Sequence, residues 1–233
     1  MTRDRFDPAG GVRARCLLFD LGKVLIDFDH RVVSRLLARH AAGNRPAPAE
    51  AIHEYIFGDA GPASPNAQMD RGTRSLASLH ADVIARFGLN VSFDEFSQAW
   101  SAIFADDLDR ATADRVAHLA ARGFDIRICS NTNDPHWSGL RSKYPLLDAL
   151  DRNGQCLLSF RIGRIKTDDG FFAHVATVTG LAPADHLLID DRQDNCQAAK
   201  AAGMHALLFR AGAGGGASSI DAALRHSGWL PDA

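Results

Sequence analysis

Five short apolar runs punctuate the chain: Arg15 to Phe19, Asp125 to Cys129, Gln155 to Ser159, His186 to Ile189 and His205 to Phe209, with helix-forming segments between them. Runs of that length separated by helical spacers predict strands buried on both faces, and so a parallel α/β sheet. Thr112 to Ala121 and Asp194 to Ala202 read as crossover helices packed on that sheet. Each is stopped by a glycine, Gly123 or Gly203, the residue type that closes a helix with least strain.

From Asp29 to about Asp107 the texture changes. Val32 to His40, Ala49 to Phe57, Arg74 to Phe87 and Phe93 to Phe104 are amphipathic at helical spacing, and no strand-like run interrupts them. An unstructured loop of that length is implausible in a compact domain, so an all-helical insertion is predicted as a separate lobe, joined to the sheet by two strands of chain. Gly58 to Pro65 reads as a bend within it. Phe93, Phe96, Trp100 and Phe104 recur every three to four residues and read as the lobe's hydrophobic core. Late in the chain, the glycine-rich stretch from Ala211 to Ser219 reads as flexible, ahead of a last short helix from Ile220 to His226.

The 233 residues, 46% hydrophobic and 23% charged, suit one domain with an insertion or two small domains. A net charge of −2 provides no long-range positive field, so neither nucleic acid nor an anionic membrane is an expected partner. The first residues are polar, and Cys16 to Phe19 is too short for a signal segment or a membrane span, so a cytoplasmic location is expected. Cys16, Cys129, Cys156 and Cys196 show no CxxC or metal-like spacing and read as reduced core residues. A monomer or weak homodimer is expected.

Polar residues follow three of the apolar runs at once: Asp20, Ser130 with Asn131, and the Asp190-Asp191 pair. In an open parallel sheet, ligands bind beyond the carboxyl ends of the strands, so the three clusters are expected at one edge. A carboxylate such as Asp20 can attack phosphorus and divide a hydrolysis into two transfers. An anion attacking an anion needs a hard divalent cation with oxygen ligands, and Asp190 and Asp191 are placed to supply them, with Mg²⁺ the natural choice. The Ser130 hydroxyl and the backbone N–H groups at Asn131 offer a neutral cradle for phosphate oxygens. Lys166, in Ile162-Gly-Arg-Ile-Lys-Thr-Asp168, is the ammonium candidate that steadies nucleophile and phosphate.

These clusters resemble, in order and spacing, the four motifs of the haloacid dehalogenase (HAD) superfamily, over about Arg15 to Phe209. Phe19-Asp-Leu-Gly-Lys-Val-Leu-Ile-Asp27, Met69-Asp-Arg-Gly72, the Phe96 to Phe104 segment, Ser130-Asn-Thr-Asn133 and Asp190-Asp-Arg-Gln-Asp-Asn195 are most similar to the alpha-D-glucose 1-phosphate phosphatase-like group. The resemblance implies an α/β, Rossmann-like parallel sheet core (HAD-like) with an inserted all-helical cap. The core would comprise 14–30 and 107–233, and the cap 31–106. It also implies Asp20 and Lys166 as catalytic residues, and Ser130, Asn131 and Lys166 as phosphate-binding. Mg²⁺ would be held by Asp20, the Gly22 carbonyl and Asp191, with Asp190 acting through a water or from behind the ligands. Asp194 would orient the loop or cap its helix.

The usual phosphatase pattern of that superfamily is Asp-x-Asp, the second acid protonating the leaving alcohol. Gly22 cannot do this, although relatives in the same group also carry Asp-Leu-Gly. His136, Asp70 and Lys23 are candidate substitutes. The leading expectation is an Mg²⁺-dependent phosphatase for a small phosphate ester, such as a sugar phosphate, working through an aspartyl-phosphate. A metal-free dehalogenase-type hydrolase would explain Gly22 but leave the late acids without a cation. A protein that binds a phosphorylated ligand without turnover would not need the nucleophile.

Overall fold

The computed structural model describes residues 16–41, 47–58, 63–210, 217–226 and 229–230. In chain order these form β1 (Cys16–Phe19), β2 (Ile26–Phe28), α1 (Arg31–Ala38), α2 (Ala49–Phe57), α3 (Pro65–Asp70), α4 (Leu76–Phe87), α5 (Phe93–Ser101), β3 (Phe104–Leu108), α6 (Arg110–Ala121) and β4 (Asp125–Ser130). There follow α7 (Asp134–Lys143), α8 (Pro145–Arg152), β5 (Cys156–Leu158), α9 (Ser159–Ile162), α10 (Phe171–Thr179), β6 (His186–Asp190), α11 (Gln193–Ala201), β7 (His205–Leu208) and α12 (Ala217–His226).

Five strands form one sheet in the order β5-β4-β1-β6-β7, every neighbouring pair parallel. Successive side chains of a strand face opposite ways. Leu17 and Phe19 therefore join Ile126, Ile128, Leu187 and Ile189 in one core, while Cys16 and Leu18 join Cys129, Leu157 and Leu188 in another. Helices cover both faces, so the central β1 and β6 are buried along their whole length and read as apolar runs, while β4 keeps Asp125 and Arg127 part-buried among its apolar residues. The four cysteines are free thiols, three of them buried.

The chain leaves β1 for β4 and β5 on one side and later returns to β6 and β7 on the other. That reversal opens a crevice at the carboxyl end of β1, where chemistry is placed in open α/β sheets. Asp20 follows the last residue of β1, Ser130 ends β4 and Asp190 ends β6.

Helices α1 to α5 close around a core of their own, including Val33, Leu37, Ile52, Ile56, Leu79, Phe96 and Trp100. The expected all-helical insertion needs correction at its base. There β2 and β3 pair antiparallel, Ile26 with Leu108 and Phe28 with Phe104, as a two-stranded ribbon. Phe104 thus belongs to a strand, because α5 stops at Ser101. Phe93 also leaves the aromatic stripe: it opens α5 just after the Ser92 cap and is 44% exposed. Where a bend is expected to end, Pro65 instead starts α3, with Ser64 as its cap accepting from the Ala67 N–H. Residues 59–62 of that bend and 211–216 of the glycine-rich stretch lie outside the described residues. No helix among the described residues is long and apolar enough to cross a membrane.

Candidate active site

The Asp20 N–H donates to the Ile189 carbonyl at 2.9 Å, extending the β1–β6 ladder one step beyond the strand and fixing the backbone beneath the carboxylate. The chain then closes a tight turn in which Leu25 and Ile26 donate to the Leu21 carbonyl at 2.8 and 3.0 Å, and Lys23 donates to Ile26 at 2.7 Å. Lys23 takes φ of 60° to make it. These bonds use the carbonyls of Leu21 and Ile26 and leave that of Gly22 out.

Lys166 is completely buried, and its Nζ stands 2.8 Å from Asp20 Oδ1 and 2.5 Å from Asp190 Oδ2. Burial alone would lower its pKa, but the two carboxylates overcome that and raise it, so the ammonium stays charged. Burial, helped by Asp190, pushes the Asp20 carboxyl up to about 6, against the pull of Lys166. The Lys166 backbone is held as well: its N–H donates to Asn131 Oδ1 at 2.9 Å.

Asp190 is fully buried and saturated. Its Oδ1 accepts from the Arg192 N–H at 2.9 Å and from Asn195 Nδ2 at 3.0 Å; its Oδ2 accepts from Lys166 and, at 3.2 Å, from Asn195 Nδ2. Asp191 differs. Among the described residues its carboxylate makes no salt bridge and no hydrogen bond to another side chain; burial and then Asp190 raise its pKa, against Lys166, Arg192 and its own backbone N–H. Ligand oxygens of Asp20, Asp190 and Asp191 lie within 4.8 Å of one another. A hard cation fits this donor set, with Asp20, Asp191 and the unused Gly22 carbonyl as available oxygens and Asp190 committed to Lys166 and Asn195.

Ser130 is buried at the end of β4, and its hydroxyl makes only a 3.4 Å contact to the Asn131 carbonyl. The Asn131 side-chain oxygen is taken up by the Lys166 N–H, so what this loop has for a ligand is the Ser130 hydroxyl, the backbone and the Asn131 amide nitrogen. Asp194 is drawn to Arg192, 2.5 Å from Nη2, and accepts from the Asn195 N–H.

The three substitute acids fare differently. Lys23 pairs with Asp27 and lies 5.1 Å above the Phe28 ring. His136 is buried with both nitrogens engaged: Nε2 donates to the Trp100 carbonyl at 2.9 Å and Nδ1 accepts from Asn133 Nδ2 at 3.1 Å. Asp70 accepts from Asn133 Nδ2 and Asn66 Nδ2, each at 3.0 Å, and burial raises its carboxyl to about 6 against those bonds.

Asn133 is the residue whose importance its sequence does not announce. It caps α7, receives the Trp100 indole N–H from α5 at 3.2 Å and reaches Asp70 on α3, joining the lobe to the Ser130 loop. The repeated Asn in Ser-Asn-Thr-Asn was a signal for a turn only.

No protein-family model matches the chain. Among solved structures, a HAD family enzyme from Bacteroides thetaiotaomicron, in complex with magnesium and inorganic phosphate, superposes with a TM-score of 0.71 at 23% identity, covering 87% of this chain and 96% of that one. A HAD-like family hydrolase from Porphyromonas gingivalis gives 0.71 at 21% identity, covering 91% and 97%. The L-2-haloacid dehalogenase from Xanthobacter autotrophicus gives 0.52 at 19% identity, covering 93% and 84%. The chain has the HAD-type fold, a parallel α/β sheet with helices inserted after its first strand.

Proposed function

We propose that this chain is a HAD-type hydrolase, an Mg²⁺-dependent phosphatase that acts on a small phosphorylated metabolite, such as a sugar phosphate, through an aspartyl-phosphate on Asp20. The observation that carries the reading is the buried Lys166 ammonium bridging Asp20 and Asp190, with the Asp191 carboxylate beside them in no salt bridge among the described residues. A structure whose only need was to satisfy charges would not leave a half-buried carboxylate unpaired next to two others. The magnesium and phosphate bound by the Bacteroides protein support the same reading.

Asp20 is the nucleophile, its carboxylate oriented by Lys166 and its backbone locked to β6. Lys166 offers charge to the phosphate oxygens near Asp20, and the Ser130 hydroxyl donates to them from the β4 side. Asp190 keeps Lys166 charged and aimed. Mg²⁺, when bound by Asp20, Asp191 and the Gly22 carbonyl, supplies neutralisation of the negative charge that two approaching anions share. Asn131 and Asn195 hold the backbone and side-chain geometry of Lys166 and Asp190.

Gly22 favours a second reading, a metal-free dehalogenase-type hydrolase, since displacement of halide by Asp20 needs no acid at that position. Phosphate release from a panel of sugar phosphates and an aryl phosphate, with Mg²⁺ or with chelator, separates the two. The phosphatase reading expects release that requires both the metal and Asp20. Halide release from a 2-haloacid in the presence of chelator, with no phosphate from any ester, would replace it.

A further inference from the structure

We propose that Phe28 is a specificity-determining residue that walls off the position beside the nucleophile with an apolar ring, so that this chain hydrolyses phosphate esters whose leaving oxygen departs without a proton from the protein. The inference rests on the phosphatase reading and narrows its substrate class, away from sugar phosphates with alcohol leaving groups, to aryl, enol or acyl phosphates, whose leaving groups are stable as anions.

A Cβ built on Gly22 would lie 2.4 Å from Cε1 and 3.0 Å from Cδ1 of Phe28. Non-bonded carbons rest at about 3.5–4.0 Å, so the ring already occupies the space in which any side chain at this position would begin. Nor is the ring loosely held. The His30 ring lies against it at 4.8 Å between centroids, Phe104 meets it edge-on at 6.4 Å, and the Lys23 ammonium sits over it at 5.1 Å. Phe28 also belongs to β2, paired with Phe104 across the ribbon. Gly22 is therefore the small half of a packed pair. An acid placed there has nowhere to go while Phe28 stays.

Among the described residues, the other candidate donors are engaged within the protein. Lys166 is engaged by two carboxylates and Lys23 by Asp27. His136 uses both ring nitrogens within the protein. Asp70, whose carboxyl burial raises to about 6, receives an amide N–H on each oxygen, so both oxygens are engaged within the protein. His30 is stacked on Phe57 at 4.3 Å, and burial lowers its pKa to about 4, so it is neutral at pH 7. In the first step a bond forms from an Asp20 carboxylate oxygen to phosphorus as the bond to the leaving oxygen breaks. The electron pair departs with that oxygen, which solvent then protonates. Water attacks the phospho-aspartate in the second step, giving phosphate and free Asp20.

The test is kcat/KM, with Mg²⁺, across aryl phosphates of graded leaving-group pKa, extended to an alkyl phosphate. The proposal expects a steep fall, the alkyl ester slower by at least the roughly 10²- to 10⁴-fold that a general acid contributes. Phe28→Ala combined with Gly22→Asp should flatten the dependence, while Gly22→Asp alone should not. Equal rates for aryl and alkyl esters in the native chain would overturn the proposal by showing a proton donor on the protein. A folded Gly22→Asp chain with a flattened dependence would overturn the role of the ring. No phosphate from even the best leaving group would remove the phosphatase reading itself, an outcome distinct from a flat series.

Discussion

The guanidinium of Arg71 grips the carboxylate of Asp168 through two 2.6 Å bonds, Nε to Oδ2 and Nη2 to Oδ1, and so fastens the helical lobe to the loop that carries Lys166. The same carboxylate accepts the Ile165 N–H at 3.0 Å, closing the turn around Lys166. The neighbouring Asp70 reaches Asn133 in the Ser130 loop. Two consecutive lobe residues thus hold the loop that carries Lys166 and the loop that carries Ser130.

That clamp is partly buried, with Arg71 13% and Asp168 24% exposed, so it is worth more than a surface pair. Arg71→Ala should cost about 1.5–3 kcal/mol of stability in denaturant titrations. Asp168→Ala on top of it should cost less than its own single effect, by about 0.5–3 kcal/mol of coupling. Additive losses would mean that the two residues do not act together.

Lys166→Met should be among the most damaging changes in the chain. It leaves the Asp20 and Asp190 carboxylates facing each other without a cation in a buried site, and breaking such a pair costs about 3–5 kcal/mol. A large drop in melting temperature without Mg²⁺ is expected, together with loss of turnover. An unchanged melting temperature would contradict the buried geometry.

Mg²⁺ at a hundredfold over its Kd should stabilise the native chain by about 2.7 kcal/mol. Asp191→Asn should abolish that gain while barely moving stability in chelator, because among the described residues its carboxylate has only its own backbone N–H to lose. Asp190→Asn should do the reverse and lower stability in chelator, since it disturbs bonds to Lys166, Arg192 and Asn195. Thermal melts with and without Mg²⁺ separate the two roles.

His136 makes stability depend on pH. Burial lowers its pKa from 6.5 to about 3, so the unfolded chain takes up its proton first as pH falls. Stability is therefore full above about 6.5 and lost progressively toward 3, at up to about 1.4 kcal/mol per pH unit. His136→Gln should reduce the slope of unfolding free energy between pH 7 and 5. His30, lowered to about 4, adds a slope of the same sign that remains. An identical slope in the variant would show that His136 is accessible in the folded chain.

What the sequence revealed follows from how each feature is encoded. The central strands β1 and β6 were legible because burial on both faces makes them mostly apolar, and the strand-end acids stood out against them. The β2–β3 ribbon was not, because Ile26–Phe28 and Phe104–Leu108 are short, carry aspartates and pair at long range. Helix α7 begins Asp-Pro and is polar along much of its length, so hydrophobic spacing does not mark it. At the site, Asp20, Lys166 and Asp191 were visible as residue types in order, whereas the bond from Lys166 to Asp190 and the service of Asn131 to Lys166 depend on contacts more than twenty residues apart in sequence. The Phe28 ring over Gly22, six residues away, was invisible because the fold of the turn between them, not hydrophobic spacing, brings the two together.

The most direct test of the account is to trap the intermediate: mix the chain with Mg²⁺ and an aryl phosphate, reduce with borohydride during turnover, and map the modified residue by peptide mass. The account predicts conversion of Asp20, and of no other aspartate, to homoserine, dependent on both metal and substrate. Phosphate release with Asp20 left unmodified, or modification of a different aspartate, would contradict it.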